Sequence, residues 1–564
     1  MTLKFLQPTI RQFGNQSMAD EERLEDLFFL QDEQGGAQLA LDLDQKSWVN
    51  LNRDTSLPWN GLTGSYRLAL VLPEGLEGRL SFEGAVLDDD QQYKKDRILH
   101  REAAFLDRGT HCLWVDLKGT RPGKHEVQAK LYYRKGFEDE DLVSQTSLIV
   151  EVADYAYPED QPFFLDLWQH LTALARYYEV PLWSDDHFKL IENYIQPLAE
   201  AGQKVCDLVI SDYAWAGQAC YQVSDNPSSL FEYKIVGLSR REGELVADFT
   251  ALDRYLDLCL SYGMAEEINL FGLLGNWDAY AFGNPLVDYE DPIRVQVYDE
   301  DQGTVSYLRT KAELKTYLGL VFDHMQDRGL WDRVKVVSDE PNDPDRFTKF
   351  EDFLSSASKE AISFKHACLH SDFLEVYQGN FESNSAISSI LIDKIDDPDS
   401  QIWQKRAEMT WYSCCFPQNL NVFVRSPLME SRLVGYLTYA FGVKGFLRWN
   451  YCLWTADPNR DIRYKTYKWA AGDMFFVYPG ANGKPEFSLR WKQLVFGLQD
   501  YRFFKAIEAE VGEDQVQAQV QRLTGDIRQM TYDSDKDTID THYQDDFALL
   551  QTIKRDCLAL LEKK

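Results

Sequence analysis

A chain of 564 residues is several times the length of an average domain, which excludes a single small module and calls for at least two domains. With 44% hydrophobic and 27% charged residues, and with 14 Trp, 30 Tyr and 32 Phe, it has the composition of a globular protein with large cores, which excludes wholesale disorder. Against 59 Lys and Arg stand 91 Asp and Glu, a net charge of −32, so phosphate backbones and anionic lipid are repelled; the expected partner is a neutral or small ligand, not nucleic acid and not a membrane.

The first residues, MTLKFLQPTIRQFGNQS, lack a continuous apolar segment and a small-residue cleavage pattern, and no later stretch approaches 18 uninterrupted apolar residues. A cytoplasmic protein is expected. Nine scattered cysteines, several of them inside apolar runs (Cys206, Cys368, Cys414, Cys452), fit reduced core thiols better than disulfides. No CxxC pair occurs and the adjacent Cys414 and Cys415 lack metal-ligand spacing, so no metal site and no cofactor is expected.

Up to about Val152 the chain reads as short strands between turn residues: SYRLALVL, GRLSFEGAVL, HCLWVDLKG, HEVQAKLYYR and SQTSLIVEVA. That spacing predicts an antiparallel β-sandwich over 1–155, with LDDDQQYKKD and FEDEDL as solvated loops. The segment DYAYPEDQP, with two prolines and no periodic apolar pattern, marks a boundary.

From residue 163 the pattern changes to eight apolar runs of buried-strand type: FFLDLW, QKVCDLVIS, EEINLFGLL, RVKVVSDEP, FKHACLHSD, ISSILIDKI, EMTWYSCCF and VKGFLRWNYCLW. Amphipathic helical stretches lie between several of them, such as HFKLIENYIQPLAEAG and KAELKTYLGLVFDHMQDRG. Strand and helix alternating eightfold predicts a (β/α)8 barrel over 163–487. The tail, 488–564, is helical in pattern and reads as packing on the barrel; the whole is a multidomain α/β chain with neither internal repeats nor low-complexity tracts.

In such a barrel the catalytic residues sit at the C-terminal ends of the strands. The most informative end is VKVVSDEPND, where an apolar strand delivers Asp339 and Glu340 to the rim before Pro341 ends the ladder. Adjacent acids are common in this acidic chain. An apolar lead-in sets this pair apart, because carboxylates beside a low-dielectric core can have their pKa values pushed apart. The pair is either a catalytic dyad or a helix cap or rim salt bridge. Aromatic residues gather at other strand ends: Trp168, Tyr213 and Trp215, Trp277, Trp411 and Tyr412, and Trp449, Tyr451 and Trp454. They either form platforms for sugar rings or plug the barrel. His170 either hydrogen bonds a sugar hydroxyl or is a satisfied buried histidine. His366 and His370 lack the intervening Glu of HExxH and fit a core or rim role better than a metal site. No phosphate loop, GxSxG elbow or dinucleotide fingerprint occurs, which removes nucleotide and serine-hydrolase chemistry.

Five segments, in order, resemble glycoside hydrolase family 123, the β-N-acetylgalactosaminidases: LDLWQHLTALARYYEVPLWSDDHF, WDRVKVVSDEPND, SPLMESRLVGYLTYAFGVKGFLRWNYCLWTADP, WAAGDMFFVYPG and SLRWKQLVFGLQD. The resemblance implies a β-sandwich before a (β/α)8 barrel and a retaining exo-β-N-acetylhexosaminidase that uses the substrate's own 2-acetamido group as nucleophile. It implies that Asp339 orients and polarises the acetamido nitrogen and that Glu340 is the general acid/base. Trp277 and Tyr298 fall at family pocket positions, after the third strand and before the dyad's helix. The chain departs from the family pattern at Asn450 and across 276–307. The partner implied is an oligosaccharide or glycoside with a terminal β-linked N-acetylhexosamine, and nothing in the sequence sets an oligomeric state. Two other readings stay open. One is a retaining glycosidase on non-acetamido sugars, which needs a separate carboxylate about 5 Å from the acid, with Asp372 best placed. The other is a noncatalytic carbohydrate-binding barrel, against which an intact dyad argues because neighbouring carboxylates are costly to desolvate.

Overall fold

The computed structural model describes residues 1–563 apart from 15, 52–63, 137, 215–230, 275–292, 378–382, 396, 456 and 465–468. Two sheets make up the N-terminal part. One has five strands in the order Thr2–Leu6, Gln34–Leu43, Gly109–Gly119, Leu76–Leu87, Tyr93–Leu99, all antiparallel. The other has six, Asp26–Gln31, Asp141–Ala156, Gly123–Lys135, Gly64–Val71, Ser47–Leu51, Ala103–Leu106, and is antiparallel except where Asp26–Gln31 and Ser47–Leu51 run parallel to a neighbour. Period-two burial carries the arrangement: Val127, Ala129 and Leu131 are buried while Gln128 and Lys130 are not, and they share one core with Leu39, Leu113 and Val115 of the facing sheet.

LDDDQQYKKD is not a solvated loop. Tyr93–Leu99 is a strand, Asp88 and Lys94 form a buried ion pair, and Asp96 sits at the seam with the rest of the chain. Arg490, at the start of helix Leu489–Val511, reaches Asp96 through Nε (3.1 Å), Arg11 Nη1 donates to it at 2.9 Å and Tyr478 OH at 2.6 Å. A cluster of acids looks hydrated in a sequence because its cationic partners lie far away along the chain. Burial opposes ionisation at Asp96, yet the two guanidiniums and the tyrosine hydroxyl hold its pKa below the ordinary value. Its stabilising contribution is therefore present above the unfolded carboxylate pKa and is lost as pH falls through the lowered folded value. Asp96→Ala, which strands two buried guanidiniums, is expected to cost about 3–5 kcal/mol, measured by denaturant unfolding at neutral pH.

Eight parallel strands follow: Phe164–Leu167, Val205–Val209, Glu267–Leu274, Val334–Asp339, Phe364–Cys368, Ser385–Ile387, Thr410–Tyr412 and Gly445–Arg448. Each pairs with its sequence neighbour from the second strand to the eighth; the eighth pairs with the first, and a Leu165–Gln203 bridge brings the first toward the second, so the barrel is nearly closed. Seven strands coincide with apolar runs of the sequence. The sixth does not, because ISSILIDKI is mostly helix Ser388–Lys394 and the strand is the SAI just before it. A short apolar run is equally compatible with a buried strand and a buried helix, and here every residue from Ser385 to Ile392 is buried. The interior also holds charge: Lys365 of the fifth strand bridges Asp166 of the first and Glu267 of the third, across the barrel.

The tail is not wholly helical. Helices Leu489–Val511, Glu513–Thr524 and Phe547–Leu561 frame a hairpin, Thr531–Asp533 with Thr538–Asp540. The first of these crosses helix Leu428–Phe441 at Gly435 and Gly497, where a Cβ on Gly435 would lie 1.8 Å from the Gly497 carbonyl oxygen. No helix among the described residues is long and apolar enough to cross a membrane.

Candidate active site

The fourth strand ends at Asp339, paired with Ala367 of the fifth, and the Glu340 amide extends that ladder by donating to the Ala367 carbonyl at 2.8 Å. Side chains alternate along a strand, so consecutive carboxylates ordinarily face opposite sides of the wall. Glu340 breaks the alternation. Its φ of +51° lies in the left-handed region, which costs a residue with a side chain about 1–3 kcal/mol. Beyond it Asp343 caps helix Pro344–Ser355 by accepting from the Arg346 amide at 3.0 Å, so the chain is anchored on both sides of the strained residue.

Both carboxylates line one cavity of about 460 Å³ at the C-terminal mouth of the barrel. Its floor is buried and largely apolar: Trp168, Ala367, Tyr412, Leu447 and Trp469. Trp449 forms part of the wall and Asn342, His370, Gln418 and Asp537 the exposed rim. Tyr412 OH donates to Glu340 Oε1 at 3.2 Å. Burial, then the charge of Glu340, push the Tyr412 pKa well above its ordinary value, so the hydroxyl remains a donor. Burial, then Glu340, likewise raise the pKa of Asp339 well above that of an ordinary carboxylate. Among the described residues no group of His, Cys, Asp and Glu is arranged to hold a metal ion.

The other sequence candidates divide. Trp168, Tyr412 and Trp449 line the cavity. Trp449 is oriented from behind: its Nε1 donates to Asp473 Oδ1 at 3.2 Å, the same oxygen that pairs with the buried Arg448 at 2.6 Å. Tyr451 and Trp454 do not line it. Past Trp449 the chain turns away to pack, with Tyr451 OH on the Tyr194 carbonyl and Trp454 Nε1 on that of Val477 at 2.8 Å. His170 is wholly buried where helix Leu171–Tyr178 begins and is not among the residues lining the cavity, and burial drives its pKa well below the usual value. Tyr298 is exposed on a small four-stranded sheet, opposite Val305 and outside the lining. Trp215 and Trp277 lie outside the described residues. His366 is buried against Phe347, Phe373 and Tyr377. Asp372 is exposed in the first turn of helix Ser371–Val376 and does not line the cavity. Sequence reasoning missed Trp469, Gln418 and Asp537. Trp469 opens a segment that carried the family resemblance; Asp537 had no local signal.

Two adjacent carboxylates in an aromatic-lined cavity at a barrel mouth fit the chemistry of a glycoside hydrolase. The family model described as glycoside hydrolase 123, catalytic domain, matches residues 168–507, more than half of the sequence, and the chain belongs to glycoside hydrolase family 123. A solved family 123 enzyme from Clostridium perfringens, studied for glycolipid glycan hydrolysis, superposes with a TM-score of 0.73 at 14% identity, covering 100% of this chain and 98% of that one. It shares the whole sandwich-and-barrel fold. A Bifidobacterium dentium β-glucuronidase (10% identity, 82% of this chain and 66% of that one) reaches a TM-score of only 0.25, too low to bear on either fold or function. No curated protein matches the sequence.

Trp449→Ala is expected to act on binding: its ring is a half-buried wall element, so KM rises by the equivalent of about 1 kcal/mol or somewhat more while the melting temperature moves little. Steady-state kinetics beside a thermal melt checks both.

Proposed function

We propose that this enzyme is a retaining exo-β-N-acetylhexosaminidase, acting on terminal β-linked N-acetylgalactosamine through an oxazoline formed by the substrate's own acetamido group. The observation that carries the reading is the makeup of the cavity. Its described carboxylates are the adjacent Asp339 and Glu340 and, out on the rim, Asp537; Asp372 is not among them. A glycosidase with an enzymic nucleophile needs a second carboxylate across the anomeric carbon from the acid. Two consecutive residues suit a different division of labour, one serving the leaving oxygen and the other the acetamido N–H.

Burial and the neighbouring charge of Glu340 raise the Asp339 pKa, which disfavours ionising both carboxyls together and favours a proton shared within the pair. An acetamido N–H placed against Asp339 favours its ionised form and leaves the proton on Glu340. Glu340 then protonates the glycosidic oxygen as the C1–O bond breaks, and the acetamido carbonyl oxygen attacks C1 from the opposite face. Positive charge grows on the cyclising acetamido group beside the Asp339 carboxylate, which stabilises it. Glu340, now ionised and steadied by Tyr412, removes a proton from water; the water opens the oxazoline at C1, and two inversions give retention. The aromatic floor and Trp449 supply the apolar faces that pyranose C–H surfaces pack on.

The Clostridium perfringens relative extends the proposal to glycolipid glycans as a substrate class. A cytoplasmic location belongs to the same reading, supported by eight free cysteines among the described residues. Hydrolysis of p-nitrophenyl β-GalNAc, β-GlcNAc, β-Gal and β-Glc tests it: β-GalNAc is expected to be cleaved best, and activity confined to the non-acetamido sugars overturns the mechanism.

A further inference from the structure

The cavity is completed by a segment far from the barrel in sequence. The loop after the seventh strand and the C-terminal hairpin are stitched together edge to edge: Asn419 Nδ2 donates to the Ile539 carbonyl at 2.7 Å, the Ile539 amide donates to Asn419 Oδ1 at 2.8 Å, and the Gln418 amide donates to the Asp537 carbonyl at 2.6 Å. The turn itself is held in shape. Asp537 has a φ of +52° and its Oδ1 accepts the Tyr532 hydroxyl at 2.9 Å, while the hairpin rests on helix Ser388–Lys394. The result is an ordered carboxylate on the open rim of a cavity whose floor is the buried end.

Depth decides what that carboxylate meets. An exo-acting enzyme places the terminal sugar deepest, against the dyad and the aromatic floor, and the aglycone must leave toward solvent. A volume of about 460 Å³ has room beyond a single pyranose ring. We propose that the turn of the C-terminal hairpin forms the leaving-group subsite, with the Asp537 carboxylate accepting hydroxyl hydrogens from a neutral sugar next to the scissile bond and disfavouring an anionic one. An ionised carboxylate only accepts hydrogen bonds, so a sugar hydroxyl complements it and a sulfate or carboxylate does not. Arg425, at the same edge, donates to the Gln418 side-chain carbonyl and lies 3.9 Å from Asp89, groups that engage its charge. The inference rests on the acetamido-sugar reading of the cavity and adds the class of aglycone.

The test compares p-nitrophenyl β-GalNAc, GalNAcβ1-3Gal and the same disaccharide sulfated on galactose. Asp537→Asn is expected to lower kcat/KM for the neutral disaccharide, relative to the aryl glycoside, about tenfold or more, as for the loss of a hydrogen bond to a charged group, and to narrow the gap between the neutral and sulfated disaccharides. Asp537→Lys is expected to reverse that preference, a gain that a folding defect cannot imitate. Wild-type ratios in both variants, with the wild type cleaving acetamido glycosides normally, overturn the subsite alone. A wild type inert to every acetamido glycoside overturns the subsite together with the reading on which it rests.

Discussion

Asp339→Asn is expected to lower kcat on β-N-acetylhexosaminides by roughly 10²-fold or more, the scale for losing one preorganised electrostatic partner of the transition state. Only substrate-assisted catalysis gives this residue a task distinct from that of Glu340. In the proposed mechanism its carboxylate takes the acetamido N–H and balances the charge that grows as the oxazoline closes, and a neutral amide would do neither as well. Azide is expected to give no rescue, because under that mechanism the nucleophile belongs to the substrate and remains in place. A thiazoline mimic of the cyclised intermediate is expected to inhibit the wild type and to bind Asp339→Asn much more weakly. A glycosyl azide of inverted configuration, with indifference to the thiazoline, would instead make Asp339 the nucleophile.

The same substitution carries a stability signature of opposite sign. Because the folded pKa of Asp339 is raised, the folded chain binds more protons than the unfolded one between the two pKa values. The contribution of this group is fully present below the unfolded carboxylate pKa of about 3.9 and is lost as pH rises through the folded value. Above the unfolded carboxylate pKa the ionisable group is therefore a burden, and Asp339→Asn is expected to melt higher than the wild type, by a margin that grows as pH rises toward the raised folded value. A variant that is slower and more stable at once separates a functional role from a folding defect.

Glu340→Gln is expected to lower kcat strongly for substrates with poor leaving groups and much less for activated aryl glycosides, since only the former need protonation as the bond breaks. The gap between the two substrate types is the measurement. Equal losses on both would remove Glu340 from the acid role. Tyr412→Phe supplies a milder companion: it removes the hydroxyl donated to Glu340 Oε1 without changing the apolar floor, and about tenfold in kcat is the order expected for one hydrogen bond to a charged group.

Much of the architecture was legible in the sequence. Seven of the eight barrel strands coincide with predominantly apolar runs, because a strand covered on both faces is mostly apolar, and charges that these strands bury, such as Asp166, Glu267 and Lys365, pair with one another. Five of the sandwich strands were legible as short runs set between turn residues, a spacing that needs no knowledge of distant contacts. The dyad was legible because an apolar run leading into two acids and a proline is a local pattern that needs no knowledge of distant contacts. The family segments supplied the order in which the pieces follow.

Tertiary structure alone decided the rest. No local pattern announces the left-handed φ at Glu340 that turns two consecutive carboxylates into one cavity, since that conformation persists only where the strand ladder before it and the capped helix after it hold the chain in place. Nor could strand-end aromatics be sorted from one another. Trp449 faces the cavity while Tyr451 and Trp454 turn toward Tyr194 and Val477, a choice made by what packs behind each ring. Asp96 reads as part of a hydrated acidic cluster until Arg490, almost four hundred residues later, is brought against it. Asp537 reads as one acid of a polar tail until the hairpin docks beside Gln418. Residue type and periodicity determine which surfaces must be buried; which distant residue meets which is set by the closing of the barrel and the docking of the tail, whose contacts leave no trace in any one stretch of sequence.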